Sequence, residues 1–352
     1  MNKLLFFSLS FLIILTNSCS LNSHSDKDSS TSAKSNFRIM FYNTENLFDT
    51  FDDPDKNDAQ FLPEGDKHWN DRKYQQKLIA LSKVIVAAGE WKAPAIIGVC
   101  EIENDRVLHD LSQESPLKKW NYQYLHKESP DRRGIDVALF YQKDQFQPIK
   151  TQYITINFPE HPHSKTRDIL YCKGVALNKD TLHVFINHWP SRWGGQMKTE
   201  SKRIFLAQTL RKKVDSLFQN VRNPNIIILG DLNDTPEDVS VLKYLKALPP
   251  EQPYQTKTLY NLMYPLSQTK EGTHPYHGHW AVLDHIIVSD NLLSSKNKVN
   301  TKLSWAQPFK KDFLLEEDKK YGGIVTFRTY IGFKYHGGYS DHLPVLLDLD
   351  IR

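Results

Sequence analysis

The chain has 352 residues, of which 39% are hydrophobic and 24% charged, and 45 Lys and Arg stand against 41 Asp and Glu for a formal net charge of +4. Acidic and basic residues are mixed along it, which excludes a basic tail or arm that would bind nucleic acid through charge alone and leaves the substrate class open. Beyond residue 35 the chain is long enough to bury a sizeable core, and a single domain over residues 36–352 is expected.

Met1-Asn2-Lys3 carries a positive charge and leads into an apolar stretch, residues 4–15, too short to cross a bilayer comfortably as a permanent anchor. Residues 1–18 therefore read as a secretory signal. Thr16-Asn17-Ser18-Cys19 resembles a bacterial lipoprotein cleavage site, although no Leu stands three residues before Cys19. The resemblance implies lipidation at Cys19, with residues 19–35 as a disordered tether and the chain exported and anchored to a membrane of the cell envelope; cleavage and release is the alternative.

Short apolar, β-branched runs follow and read as strands. The first, residues 37–42, leads to Asn43 and Glu45. Next, Asp53-Pro54-Asp55-Lys56-Asn57-Asp58 puts side-chain oxygens at alternate positions, and Glu64 falls where a helix-loop-helix calcium site places its bidentate ligand. One expectation is thus a structural Ca²⁺ at Asp53, Asp55, Asn57 and Glu64; a solvated acidic loop is the other, since Asp58 fills the position such a loop gives to glycine. Helical spacing covers residues 74–88. Strand 95–100 ends on Glu101, strand 135–141 carries Asp136, strand 169–177 follows, and strand 182–187 ends on His188. Cys100 and Cys172, both inside apolar runs, read as buried thiols rather than a disulfide. Across residues 198–218, Ile204, Ala207, Leu210, Val214 and Leu217 share one helical face. Strand 225–229 runs to Asp231 and Asn233, strand 282–288 contains Asp284, and Ser340-Asp341-His342 opens strand 343–349. Strands apolar throughout imply burial on both faces and a layered α/β architecture.

Acids, amides and histidines thus recur where apolar strands stop. Burying a charge there costs several kcal/mol unless it is paired or metal-bound, so a shared site at one edge of the sheets is the common cause. The oxygens of Asn43, Glu45, Glu101 and Asp341 suit Mg²⁺, Mn²⁺ or Ca²⁺, whereas zinc recruits Cys or several His. Asp231 and Asn233 alternate, so both can face one water, the carboxylate taking its proton and the amide orienting it. Beside Asp284, His342 would be held in one tautomer with a raised pKa.

Six motifs then carry a family resemblance: Phe41-Tyr42-Asn43-Thr44-Glu45-Asn46, Gly98-Val99-Cys100-Glu101, Asn187-His188-Trp189-Pro190-Ser191-Arg192, Gly230-Asp231-Leu232-Asn233-Asp234, Leu283-Asp284-His285-Ile286 and Ser340-Asp341-His342-Leu343-Pro344-Val345. Their order resembles the endonuclease/exonuclease/phosphatase superfamily, and Arg133-Gly134-Ile135-Asp136-Val137-Ala138 with Gly337-Gly338-Tyr339 looks closest to its extracellular-nuclease-like bacterial branch. The resemblance implies a four-layered α/β sandwich, two mixed β-sheets packed face to face with helices outside. It implies that Glu101 and Asn43 bind metal, that Asp231 and Asn233 position the attacking water, that Asp284 supports His342, and that His188 lies near the leaving group. Which histidine is acid and which is base or stabiliser stays open.

Arg133, Arg167 and Arg192 are candidates to clamp substrate phosphate, against the plainer reading of surface charges. Asp136 either orients His188 or pairs with a nearby Arg. His274, His277 and His279 read as part of a substrate-facing loop rather than a zinc cluster. Trp189, Trp193 and Trp280 either stack on bases or pack. The reading adopted is an exported hydrolase, Mg²⁺- or Mn²⁺-dependent and monomeric, that cleaves phosphodiesters, foremost in nucleic acid. Its rivals are a phosphatase or phospholipase acting on inositol phosphates or sphingomyelin, and a non-catalytic surface-binding lipoprotein.

Overall fold

Along β1 (Phe37–Leu47), Ile39 and Phe41 point one way and Met40 and Tyr42 the other, and all four are buried. A strand buried on both faces needs a layer on each side. The computed structural model describes residues 37–352 apart from Trp91 and Trp193. The expected signal, the Cys19 lipidation site and the 19–35 tether lie outside the described residues.

β1 pairs in parallel with β2 (Ile96–Ile102), which pairs antiparallel with β4 (Asp136–Tyr141), itself edged by β3 (Gln123–Leu125). On the other side of β1 run β20 (Val345–Ile351) and then β14 (Val299–Asn300), and β15 (Ala306–Pro308) also pairs with β20. The second sheet has the order β5 (Phe146–Ile154), β6 (Ile169–Ala176), β7 (Thr181–His188), β8 (Asn225–Asp231), β13 (Asp284–Ser289), β10 (Leu259–Asn261) and β9 (Ala247–Leu248).

The sheets meet face to face. Ile39, Phe41, Leu139 and Leu347 of the first join Leu170, Val184, Ile186, Leu229 and Ile286 of the second in one apolar cluster. A Cβ at Gly98 would lie 2.5 Å from Ile186 Cδ1, so the close approach of the sheets requires glycine there. Outside the first sheet, Leu78, Leu81 and Ile85 of α1 (Asp71–Gly89) cover Met40, Ile97 and Val99. Outside the second, Leu206, Leu210 and Val214 of α3 (Gln196–Asn220) cover Phe185, Ile226 and Ile228. Each such side chain contributes roughly 1.5–3 kcal/mol by leaving water. The result is the expected four-layered sandwich. Between the two long helices, α2 (Asp105–His109) is a single short turn.

Helix α1 starts three residues before the apolar pattern does, because Asn70 accepts the Lys73 N–H and caps a polar first turn. Cys100 and Cys172 are buried and free. Among the described residues no helix is long and apolar enough to cross a membrane.

The calcium expectation is not met. Asp53 takes the Asp55 N–H on Oδ1 and gives its own N–H to Asp58, while Asp55, Asn57 and Glu64 are exposed. Among the described residues, Asp53, Asp55 and Glu64 do not converge as a group of donors. The missing glycine is consistent with this, because the calcium loop depends on a sharp turn there.

Candidate active site

Strand register builds the site. β8 lies between β7 and β13, and Asp231 is the register partner of both His188 on β7 and Asp284 on β13. Register partners project to the same face. Asp231 shares the parity of Ile227 and Leu229, so all three side chains open into the seam between the sheets, where their apolar predecessors form the core. From the facing sheet, Asn43 follows Ile39 and Phe41 at the same alternation and donates its Nδ2 to Asp231 Oδ2 at 3.0 Å.

Glu101 has the opposite parity and reaches the seam by a bulge. Cys100 pairs with Val137 and Ile102 with Asp136, leaving Glu101 as the extra residue at φ 60°. Its Oε2 accepts the Asn46 N–H at 2.9 Å and Oε1 lies 3.8 Å from His188 Nε2. Glu45 (φ 51°), Asn46 (φ 56°) and Asn233 (φ 52°) also adopt left-handed backbone conformations. Each costs on the order of 1–3 kcal/mol, which the surrounding sheets must offset.

Asp231 is the hub. Its Oδ1 accepts the Asn233 N–H at 2.9 Å, and Oδ2 lies 3.7 Å from both His188 Nε2 and His342 Nε2. His342 Nδ1 is 2.7 Å from Asp284 Oδ2, and Asp284 receives its backbone position from Thr273, whose Oγ1 accepts its N–H at 3.1 Å. Burial pushes the Asp231 carboxyl up to about 7, against the opposing pull of His342. Burial also works against charge on His342, but Asp284 and Asp231 outweigh it and hold its pKa well above the usual value. His188 is driven the other way, its pKa held well below the usual value by burial and by the charges of Arg167 and Arg133. The surroundings therefore bias the two histidines in opposite directions, His342 toward the imidazolium and His188 toward the neutral ring.

Other expected residues are placed differently. Glu45 turns away from this cluster: Oε2 accepts the Thr329 N–H at 2.6 Å and Oε1 faces Arg328 Nε at 3.2 Å, so its oxygens hold a loop and are not turned to a metal. Asp341 pairs through Oδ2 with Arg328 at 2.8 Å. Arg167 is not open to substrate; it is buried and donates to His188 O, Trp189 O and Asp131. Arg192 donates to Asn233 O and pairs with Asp234 and Asp238. Only Arg133 of the three stands at the surface, with its guanidinium on Asn46 Oδ1. Asp136 follows neither sequence reading, since it binds His126 Nε2 and the Ser129 N–H. Asn233 gives its amide Nδ2 to Trp189 O, so it braces Asp231 through its backbone. Trp189 is fully buried under α3 and packs.

Two residues escaped the sequence reading, and a third, His274, was read only as part of a substrate-facing loop. Arg328 bridges Glu45 and Asp341 from a segment without periodicity. Lys77, a charged residue inside the buried face of α1 three residues after Tyr74 and four before Leu81, donates to Thr329 Oγ1 and Tyr339 O. His274 packs against His342, rings tilted by 45° with centroids 4.5 Å apart, and lies 3.8 Å from Asp341 Oδ2; the Gly272-Thr273-His274 run was the available signal for it. Among the described residues, the donor groups that converge are His274, Asp341 and His342, and Asp231, Asp284 and His342.

A family model described as Endonuclease/Exonuclease/phosphatase family matches residues 38–351. A comparison with curated proteins finds no match. Among solved structures, an endonuclease/exonuclease/phosphatase family protein from Bacteroides thetaiotaomicron aligns with a TM-score of 0.55 at 15% identity, covering 90% of this chain and 95% of that one. A mannosyl-6-phosphatase of the same organism gives 0.55 at 15% identity, covering 89% and 99%. The human Nocturnin catalytic domain with bound sulfate gives 0.52 at 18%, covering 90% and 94%. At these identities the likeness bears on the fold alone.

Proposed function

The chain belongs to the endonuclease/exonuclease/phosphatase family, whose members hydrolyse phosphoester bonds and are generally divalent-metal-dependent, and we propose that it is a phosphodiesterase whose substrate is nucleic acid. The observation that carries this is Asp231 Oδ2, at 3.7 Å from His342 Nε2, whose surroundings favour its protonated form, at 3.7 Å from His188 Nε2, whose surroundings favour the neutral form, and 3.0 Å from Asn43 Nδ2. A carboxylate so placed can accept a proton from water while the imidazolium beside it faces developing negative charge.

The donor set fits a hard cation. Glu101 is partly exposed and commits one oxygen to the Asn46 N–H, and Asn43 Oδ1, which accepts the Glu45 N–H, keeps a second lone pair, so both offer oxygens rather than thiolates. Glu101 and Asn43 would hold Mg²⁺ or Mn²⁺, which would supply positive charge to the phosphate oxygens. In the proposed reaction the water oxygen forms the new P–O bond, its proton passes to Asp231, and the bond to the leaving oxygen breaks in line. Asp284 keeps His342 charged and fixed through Nδ1, leaving Nε2–H to face the phosphorane.

We propose further that residues 1–18 direct export and that Cys19 tethers the enzyme to a membrane. The test of the activity is a panel of plasmid DNA, RNA, inositol phosphates and sphingomyelin assayed with Mg²⁺, Mn²⁺, Ca²⁺ and EDTA. Nucleic-acid cleavage that EDTA abolishes is expected. Faster turnover of an inositol phosphate or sphingomyelin would move the substrate to that class, and no turnover of any diester would remove the hydrolase.

A further inference from the structure

Next to the seam lies a groove of about 630 Å³ that the reaction above does not use. One wall is the hairpin β11 (His274–Tyr276) and β12 (His279–Ala281); the other comes from the hairpin β16 (Leu315–Glu317) and β17 (Ile324–Thr326) and the residues after it. Arg328 lines the groove and also binds Asp341, so groove and candidate active site share a residue.

The first hairpin is a ruler between them. At its base His274 packs against His342 with the rings tilted by 45°, and two residues on, about 7 Å along the strand, Tyr276 stands at its tip. The turn His277-Gly278 has φ 49° and 79°, the pair of positive values that the tightest hairpin turn demands. A Cβ at Gly278 would come within 3.2 Å of Tyr321 Cβ, so the turn presses against the second hairpin, and Trp280 Nε1 donates to Ile324 O at 3.0 Å to lock the two together. The tip is thereby rigid and aromatic. Tyr276 lies flat on His277, centroids 4.0 Å apart and planes 14° from parallel, and His277 in turn meets Tyr321 at 5.0 Å. Tyr276, the outer member, is 65% exposed.

We propose that this groove is a nucleobase subsite, in which a base of the substrate strand stacks on Tyr276 while its neighbouring phosphate sits in the seam. The proposal rests on the phosphodiesterase reading and narrows its substrate to base-bearing strands. A flat ring continues a parallel stack. Of the three acids that line the groove, Glu316 is bound to His336 and Asp318 accepts the N–H groups of Lys320 and Tyr321, which leaves the exposed Glu317 to meet a sugar hydroxyl, so the aromatic stack rather than the acids favours a base.

The test measures binding to the full chain in Ca²⁺ by calorimetry, using adenosine 5′-monophosphate, its deoxy counterpart, ribose 5-phosphate and a hexose 6-phosphate. Both nucleotides should bind about tenfold or more tightly than ribose 5-phosphate, the span of one stacked base. Tyr276→Ala should erase that difference and Tyr276→Trp should keep it. Because Tyr276 is exposed, circular dichroism and melting should report an unchanged fold. A preference for the ribo or the deoxy nucleotide identifies which strand the subsite serves. Equal binding of ribose phosphate and nucleotide, tighter binding of the hexose phosphate, or a base preference that survives Tyr276→Ala would overturn the subsite. Metal-dependent hydrolysis of methyl 4-nitrophenyl phosphate, run in parallel, reports on the phosphodiesterase itself. Turnover without base preference removes only the subsite, whereas base preference without any diester turnover removes only the hydrolase.

Discussion

His342 Nδ1 and Asp284 Oδ2 are 2.7 Å apart, and both side chains are buried. Residues that act through one another give non-additive losses. His342→Ala is expected to lower kcat by about two to four orders of magnitude, and adding Asp284→Ala should worsen it little. Steady-state kinetics on the best substrate of the panel measures this; independent, multiplying losses would show that Asp284 does not act through His342.

Glu101 and Asp231 should separate by their response to metal. Glu101→Gln weakens a ligand, so part of the activity should return at high Mg²⁺ or with Mn²⁺. Asp231→Asn keeps size and removes the proton acceptor, so a loss of about two to four orders of magnitude in kcat should persist at saturating metal. Rescue of Asp231→Asn to the same degree would reverse the two roles.

Upward shifts on both Asp231 and His342 give the pH dependence. Asp231 must be ionised, and burial raises its pKa to about 7 without metal, so activity should climb through an acid limb that bound cation moves downward. His342 must keep its proton, and its raised pKa puts the alkaline limb above neutrality. The stability sign follows: a carboxyl raised in the fold contributes stability that is fully present below its unfolded pKa and is lost progressively as pH rises from there through about 7. Asp231→Asn should therefore melt higher than the wild type at pH 8 in EDTA, by a few degrees, and gain nothing near pH 4.

Much of this site was legible because strands announce it. Asp231, His188 and Asp284 each terminate or begin an apolar run, and a shared register then brings them side by side with no further information. The bulge that turns Glu101 inward left no trace in the pattern, and neither did the one that turns Glu45 to Arg328, since a bulge changes parity without changing composition. β5 was not foreseen either. It is an edge strand with an exposed face, and its register slips at Pro148, which lacks a donor. The strands of two or three residues between 299 and 335 are too short for any period. Arg192 and Asp136 illustrate the limit of motif position: each lies in a motif, and each is absorbed by local partners that only the folded chain supplies.

Cys19→Ala should move the protein from the membrane to the soluble fraction without changing specific activity, because the catalytic domain begins beyond the tether. Fractionation with activity assays measures it. Mass spectrometry finding Cys19 unmodified in the wild type would remove the anchor.

Lys77 and Glu45 make the last test, because both are buried and both hold the segment that carries Arg328, Asp341 and His342. Lys77 Nζ donates to Thr329 Oγ1 and, at 2.6 Å, to Tyr339 O, while Glu45 takes the Thr329 N–H at 2.6 Å. Burial lowers the Lys77 pKa to about 8 despite the attraction of Glu45. Removing the cation alone leaves Thr329 Oγ1 and Tyr339 O short of a donor and takes from Glu45 one of the two cations that attract it, the other being Arg328, an effect of roughly 1–3 kcal/mol. Lys77→Met should thus lower the melting temperature clearly, and Glu45→Gln in the same chain should recover part of the loss, since the buried carboxylate that has lost one of its cations goes with it. Activity should fall in Lys77→Met even well below its melting temperature, because Asp341 and His342 lie on the loosened segment. An additive double mutant, or a destabilised Lys77→Met with full turnover, would mean that this network supports the fold without positioning the site.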